Sequence, residues 1–475
     1  MENKRTTQTR CTRERPHALA LRIALAFALL AGALLTAPPL IQAEATPVVQ
    51  PPAERPNVLL IVTDDQRHDT LSVMPGVRRW FGRHGTRFPE AYAATPLCCP
   101  SRASILTGRY SHTHHVFNNG EDAVRSLNHS VTIQRQLDDA GYRTGIVGKF
   151  FNDWPTRLDP PGFDRWAISD RGYYGAVFNV QGRTRTVSRY VTDYISDRAV
   201  SFIRDSSEGD RPWFLYLAPL APHGPFAPEP AYANAPIPAW DRNPAVLEKD
   251  LGDKPAAVQA PTVNLDDRRV RSGQLRALMS VDDMVDRLFA TLEELGEADN
   301  TLAIYTSDNG FYWQEHGLSD KRLPYTQAMK LPLLLRWPNA IEAGRVDPRL
   351  TSNVDLAPTI LEAAQVAPRD LLDGESLLHD GTRTTVFSEY WRDVTQREIR
   401  DWASLRTTEY QYTEYYDDDG RRIFREYYDL TNDPWQLRNV LADRIDGNEP
   451  SAETLAELSV RVQIARRCEG TSCLF

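Results

Sequence analysis

Cysteine is scarce in this chain, with five in 475 residues. That excludes a small scaffold stapled by disulfides and leaves a length able to bury a large core. Positive charge is also in deficit, 55 Lys and Arg against 64 Asp and Glu, for a net charge of −9. Broad, non-specific binding of nucleic acid or polysulfated chains is therefore not expected, although a local basic pocket stays open. No internal repeat is visible. Long apolar runs are absent except at residues 23–35, which follow Arg10, Arg13, Arg15 and Arg22. Gly32 interrupts this run and Pro38 and Pro39 close it, so it is short for a membrane span. Ile41, Gln42 and Ala43 offer a cleavage site. Residues 1–43 read as a secretory leader that is cleaved rather than retained as an anchor, with export in either case.

What is present is ordinary globular composition, 41% hydrophobic and 25% charged. Cys11 leaves with the leader. Cys468 and Cys473 flank Glu-Gly-Thr-Ser, and a small-loop disulfide is expected there in an exported protein. Cys98 and Cys99 are adjacent and poorly placed to bridge each other. One is then free for chemistry and the other is a buried small apolar residue.

Residues 44–56 are Pro-rich and read as an extended lead-in. Residues 57–63 form a continuous apolar run, as a strand buried on both faces would. Similar runs recur at 144–147, 213–218, 301–306 and 331–336. Residues 270–295 carry a helical pattern, with Leu275, Leu278, Val281, Val285, Leu288 and Leu292 on one face. Strands alternating with helices predict an α/β sandwich around a mostly parallel sheet. The Pro-rich stretch 219–262 has no period and reads as an active-site rim. Beyond Pro368, residues 384–390, 402–406, 410–416 and 423–429 read as short strands, and 451–466 as a helix. This divides the chain into a leader (1–43), a main domain (44–375) and a smaller antiparallel subdomain (376–475).

The chemistry-bearing residues fall where these runs end. Residues 57–63 run into Asp64 and Asp65, and 301–306 into Ser307, Asp308 and Asn309. In open α/β sheets, ligands bind at the carboxyl ends of strands. Three carboxylates and an amide oxygen suit Ca²⁺ or Mg²⁺ better than Zn²⁺. Either pair alone reads as a turn cap; two at equivalent positions point to a site.

Between them lies Cys98-Cys99-Pro100-Ser101-Arg102, followed by Leu106-Thr107-Gly108. This string resembles the active-site signature of type I sulfatases, Cys-x-Pro-Ser-Arg then Leu-Thr-Gly. The resemblance spans about residues 57–440. It implies an alkaline-phosphatase-like fold and hydrolysis of sulfate esters. It also implies that Cys98 is converted by a maturation enzyme to formylglycine, whose hydrate is the nucleophile. One hydroxyl of that hydrate attacks sulfur, and the other expels sulfate as the aldehyde re-forms. The implied shell for Ca²⁺, with Mg²⁺ as the alternative, is Asp64, Asp65, Asp308, Asn309 and the modified Cys98. Arg102, Lys149 in Gly148-Lys149, His223 in Pro222-His223 and Lys321 match the family's sulfate-binding and catalytic positions, His223 as the leaving-group acid. His316 opens the segment that ends in Lys321 and is assigned to substrate binding. Phe151-Asn152 stands where many relatives carry a His and is similar to glucosamine-6-sulfatases, so Asn152 is a candidate pocket residue. His112, His114 and His115 resemble the family's His-x-His-His and read as packing around the nucleophile rather than as a zinc site.

The motifs are most similar to N-acetylglucosamine-6-sulfatases and endosulfatases; with no long basic insert of the endosulfatase kind and an acidic mature chain, a small sulfated sugar or exo-action is favoured over scanning of long chains. Two rivals stay open. One is a phosphonate monoester or phosphodiester hydrolase with the same nucleophile. The other is a non-catalytic exported binding protein, the outcome if Cys98 remains a thiol.

Overall fold

The uncharged run Asn-Val-Leu-Leu-Ile-Val-Thr forms the strand Asn57–Thr63, buried at all seven positions. Strand alternation divides its side chains between two cores. Val58, Leu60 and Val62 join one that contains Cys99, Ala103, Leu106, Leu356 and Ile360. Leu59 and Ile61 join the other, with Ile195, Leu278, Val285 and Leu288. Each fully buried aliphatic side chain contributes about 1.5–3 kcal/mol, so the two cores pin this strand at the middle of the sheet.

In this computed structural model the described residues are 55–474, apart from 170, 261–265, 382 and 393–397. The leader and residues 44–54 of the lead-in lie outside them. The strand Asn57–Thr63 runs parallel to Trp213–Ala218 on one side and to Thr301–Ser307 on the other. Arg143–Gly148 and then Arg165–Ile168 extend the parallel set. Mostly antiparallel neighbours complete the ten-stranded sheet at its margins. Leu334–Arg336 pairs with Thr301–Ser307, and Ala176–Val180 and Arg183–Val187 follow Arg165–Ile168. The helix expected over 270–295 spans Asp267–Glu294, and the Asp266 side chain accepts the N–H groups of Arg268 and Arg269 at its start. The strand expected from 331 begins only at Leu334, beyond Pro332, which has no N–H to give a ladder.

A second, four-stranded antiparallel sheet holds Val386–Tyr390, Asp401–Arg406, Tyr410–Tyr416 and Arg422–Asp429 in order. The helix Ala452–Ala465 packs Leu458 and Val462 against Phe387, Leu405 and Tyr412. Cys468 and Cys473 are disulfide-bonded, as expected. His112, in the short helix Ser111–His114, ties this region to the rest of the fold: Nδ1 lies 2.9 Å from Glu389 Oε1 and Nε2 3.0 Å from the Cys468 carbonyl.

Burial alone would lower the His112 pKa, but the charge and hydrogen bond of Glu389 raise it. A raised folded-state pKa contributes stability that is fully present below the unfolded value and is lost as pH rises through the folded one. We therefore expect unfolding free energy to fall as pH rises above the ordinary histidine value of about 6.5. Urea titrations should show less of this decline in His112→Gln, and an identical decline in both proteins would contradict the assignment.

Candidate active site

Four parallel strands deliver their following residues to one edge of the sheet. Asn57–Thr63 leads to Asp64 and Asp65, Thr301–Ser307 to Asp308 and Asn309, Arg143–Gly148 to Lys149, and Trp213–Ala218 to His223. Asp65 takes left-handed backbone, φ 66°, and its N–H reaches Asp308 Oδ1 at 3.2 Å. Gly148 has φ 107°, and a Cβ there would lie 2.0 Å from the Ala218 carbonyl oxygen. Glycine is thus required immediately before Lys149.

The helix Cys98–Thr107 brings its first residue to the same edge, with all ten residues buried. Pro100 sits in the first turn, where its missing N–H is tolerated, and Gly108 ends the helix at φ 70°. The N-cap, Leu97, offers no side-chain acceptor, so Asn119 Oδ1 accepts the Cys99 N–H at 2.9 Å. Cys98 Sγ lies 3.4 Å from Asp64 Oδ1 and 3.0 Å from Lys321 Nζ. Cys99 turns into the apolar core. There Asn152 meets it, backbone N–H to Sγ at 3.2 Å and Oδ1 at 3.6 Å. Asn152 therefore contacts Cys99, not Cys98.

Three cationic side chains answer the buried carboxylates. Arg102, wholly buried, donates from Nε to Asp308 Oδ2 at 2.9 Å, and from Nη1 to the Lys149 carbonyl at 3.0 Å and the Tyr216 hydroxyl at 3.2 Å. Its Nη2 lies 3.9 Å from Asp64 Oδ2. Lys149 Nζ is 2.5 Å from Asp64 Oδ2, and Lys321 Nζ donates to Asp65 Oδ1. Burial alone would raise the Asp64 pKa; Lys149, His223, Arg102 and Lys321 hold it well below the carboxylate range. Burial likewise works against the charges of Lys149 and Lys321, but Asp64 and Asp65 respectively keep them protonated. For Asp308, burial and then the Asp64 charge push the pKa up. Burial pushes the Cys98 thiol up, and Lys149 and Lys321 only partly oppose it.

Ligand atoms of Asp64, Asp65, Cys98 and His223 all lie within 4.8 Å of one another. Asn309 Nδ2 donates to Asp65 Oδ1 at 2.6 Å, while its Oδ1 is buried without a partner. An orphaned carbonyl oxygen among carboxylates fits a hard divalent cation. His223 stands at the mouth, its side chain 34% exposed and Nε2 3.7 Å from Asp65 Oδ2.

The remaining candidates sit elsewhere. His316 is fully buried, with Nδ1 2.5 Å from Glu248 Oε2 and its ring 4.3 Å from that of Tyr325. Glu248 in turn pairs with buried Lys254. His114 supports the Cys98 helix, with Nε2 3.1 Å from Ser104 Oγ and Nδ1 accepting the Val116 N–H. Tyr216 escapes sequence reading because it lies inside an apolar strand, 114 residues from Arg102. Ser101, whose hydroxyl donates to the Asp308 carbonyl, is hidden inside the signature in the same way.

The sulfatase family profile matches residues 56–366, and the profile of the N-sulphoglucosamine sulphohydrolase C-terminal region matches residues 314–462. The chain is 33% identical over 347 residues to an extracellular sulfatase SULF-1 homologue of Drosophila melanogaster, covering 68% of this chain and 31% of that protein. Against a putative extracellular sulfatase of Caenorhabditis elegans it spans 48% of the relative, so it matches about a third to a half of these two proteins. It is 30% identical over 491 residues to the N-acetylglucosamine-6-sulfatase of Homo sapiens, covering 88% of this chain and 86% of that one. Among solved structures, BT4656 in complex with its substrate D-glucosamine-2-N,6-O-disulfate superposes with a TM-score of 0.74 at 25% identity, over 86% of this chain and 97% of the other. With a match covering well over half its length, laid across the strands and helix that build this centre, the chain belongs to the sulfatase family.

Proposed function

We propose that this chain is a sulfuric ester hydrolase that cleaves sulfate from a sulfated sugar or glycosaminoglycan fragment at a centre built on residue 98. The observation that carries the reading is the convergence of Cys98 with Asp64, Lys149, Arg102, Lys321 and His223 at one strand edge. A sulfate ester is an anion and resists attack by another anion. Arg102, Lys149 and Lys321 offset the charge of its oxygens as the S–O bond breaks. Asp64, Asp65, Asp308 and Asn309 would hold a divalent cation, Ca²⁺ on this reading, which adds Lewis-acid neutralisation of the same oxygens.

The thiol itself is unsuited to the task. A buried Cys98 with a raised pKa stays protonated, and a protonated thiol is a poor nucleophile. Conversion to formylglycine by a formylglycine-generating enzyme would supply a hydrated aldehyde at that position instead. His223, partly exposed beside Asp65, is placed to give the leaving oxygen its proton. The sugar assignment rests on the names of the relatives and on the disulfated glucosamine bound by BT4656. The basic leader motivates a secreted or periplasmic location. Among the described residues no helix is long and apolar enough to cross a membrane.

Ca²⁺ or Mg²⁺ should stabilise the folded protein by about 2.7 kcal/mol at a hundred times its dissociation constant, read as a rise in Tm. Asp308→Ala should lose that rise, and stabilisation by Zn²⁺ alone would refute the donor assignment. Cys98→Ala should abolish hydrolysis with the fold intact, while Cys99→Ala, which only trims the core, should keep most of it. Equal loss in both variants would count against residue 98. His223→Ala should slow hydrolysis of sugar sulfates far more than that of nitrophenyl sulfate, whose phenolate leaves without a proton. The same slowing factor for both substrates would rule out proton donation.

A further inference from the structure

Lys321 is delivered by a backbone its own residues disfavour. Asp320 and Arg322, on either side of it, have φ of 79° and 105°. Left-handed backbone of this kind is costly for residues with a Cβ and persists where the surroundings impose it. The second sheet and its following tail supply the surroundings, reaching the segment just beyond Lys321 with several side chains. The Trp402 indole N–H donates to the Arg322 carbonyl at 2.8 Å, and Gln411 Nε2 to the Pro324 carbonyl at 2.6 Å. Glu426 accepts the Tyr325 hydroxyl at 2.8 Å, and Gln436 Oε1 accepts the Thr326 N–H at 2.9 Å. Of these, only the Trp402 bond falls on a left-handed residue. Trp402 is 1% exposed and stacked on Tyr390, so its N–H is fixed in direction.

We propose that Trp402 is a positioning residue. Through the Arg322 carbonyl it holds the left-handed backbone at 320 and 322, and so keeps the Lys321 ammonium on Asp65 and residue 98. The importance of this for catalysis rests on the reading of residue 98 as the reacting centre, but the geometry stands apart from it. The second sheet then serves as the support that aims one cation of the active site, beyond adding stability to the fold.

Trp402→Phe keeps a six-membered aromatic ring at the position and removes the N–H together with the five-membered ring that carries it. Two readouts separate positioning from general weakening. The first is the rate at which an amine-acylating reagent labels Lys321 and Lys149, followed by peptide mass spectrometry. Both lysines are buried, but Lys149 directly follows a strand of the main sheet, Arg143–Gly148. Lys321 should label about tenfold faster in the variant, because local opening exposes only its own loop, while Lys149 stays protected. Adding Arg322→Gly, which accepts φ 105° without strain, should return Lys321 labelling toward the wild-type rate. Unchanged Lys321 labelling, labelling of both lysines in step, or no recovery in the double variant would each overturn the proposal. The second readout is turnover of a sulfated sugar. A displaced cation should lower kcat by roughly ten- to a hundredfold with KM little altered, and an unchanged kcat would overturn the catalytic part. A wild-type protein that cleaves no sulfate ester would instead overturn the functional reading, and the labelling comparison would still decide the role of Trp402.

Discussion

Three carboxylates, Asp64, Asp65 and Asp308, are withdrawn from water at one edge of the sheet, and the rest of the site is arranged around that fact. Each such ion costs several kcal/mol to bury unless it is paired and hydrogen-bonded. Arg102, Lys149 and Lys321 supply the pairs, and they come from a helix, a strand end and a loop held by the second sheet. The centre therefore forms only when all three have docked. Formal charge within it then sums to zero. A divalent cation on the same oxygens would leave a positive excess, which would suit the anionic ester proposed as substrate.

The same constraint explains the architecture behind the site. The Cys98 helix is buried on every side, so it can be neither moved nor rotated without breaking contacts to the sheet. Its start is capped by Asn119 instead of by its own N-cap residue, and its second turn is anchored by Arg102. Adjacent cysteines acquire opposite fates from this rigid placement: Cys98 faces the ions and Cys99 faces Leu106, Phe150 and the rest of the apolar core. The buried pair His316 and Glu248 links the Pro-rich rim to the base of the Lys321 loop, with Lys254 closing the network against the Leu437 carbonyl.

Much of this was legible in sequence because it is local. The apolar runs at 57–63 and 213–218 became buried strands with the expected limits, since a strand covered on both faces needs apolar residues at every position. The acidic pairs were legible because each directly follows such a run. The antiparallel margin at 176–187 was not, because Arg183–Val187 is exposed at four of its five positions and carries no apolar signal. Nor was Tyr216, whose hydroxyl serves Arg102 from within an apolar strand. The partners of Asn152 and His316 were not legible either: Asn152 meets Cys99 and His316 meets Glu248, contacts made across the fold that nearness in sequence to Lys149 and Lys321 does not reveal.

The proposed chemistry depends on the chemical form of residue 98. The direct measurement is the mass of the peptide containing it, taken from a preparation whose hydrolysis of a sulfated glucosamine has been measured in parallel. The thiol should have been replaced by an aldehyde, the peptide should react with a hydrazide, and activity should rise in proportion to the aldehyde fraction. A fully active preparation in which residue 98 is entirely an unmodified thiol would contradict the proposed chemistry.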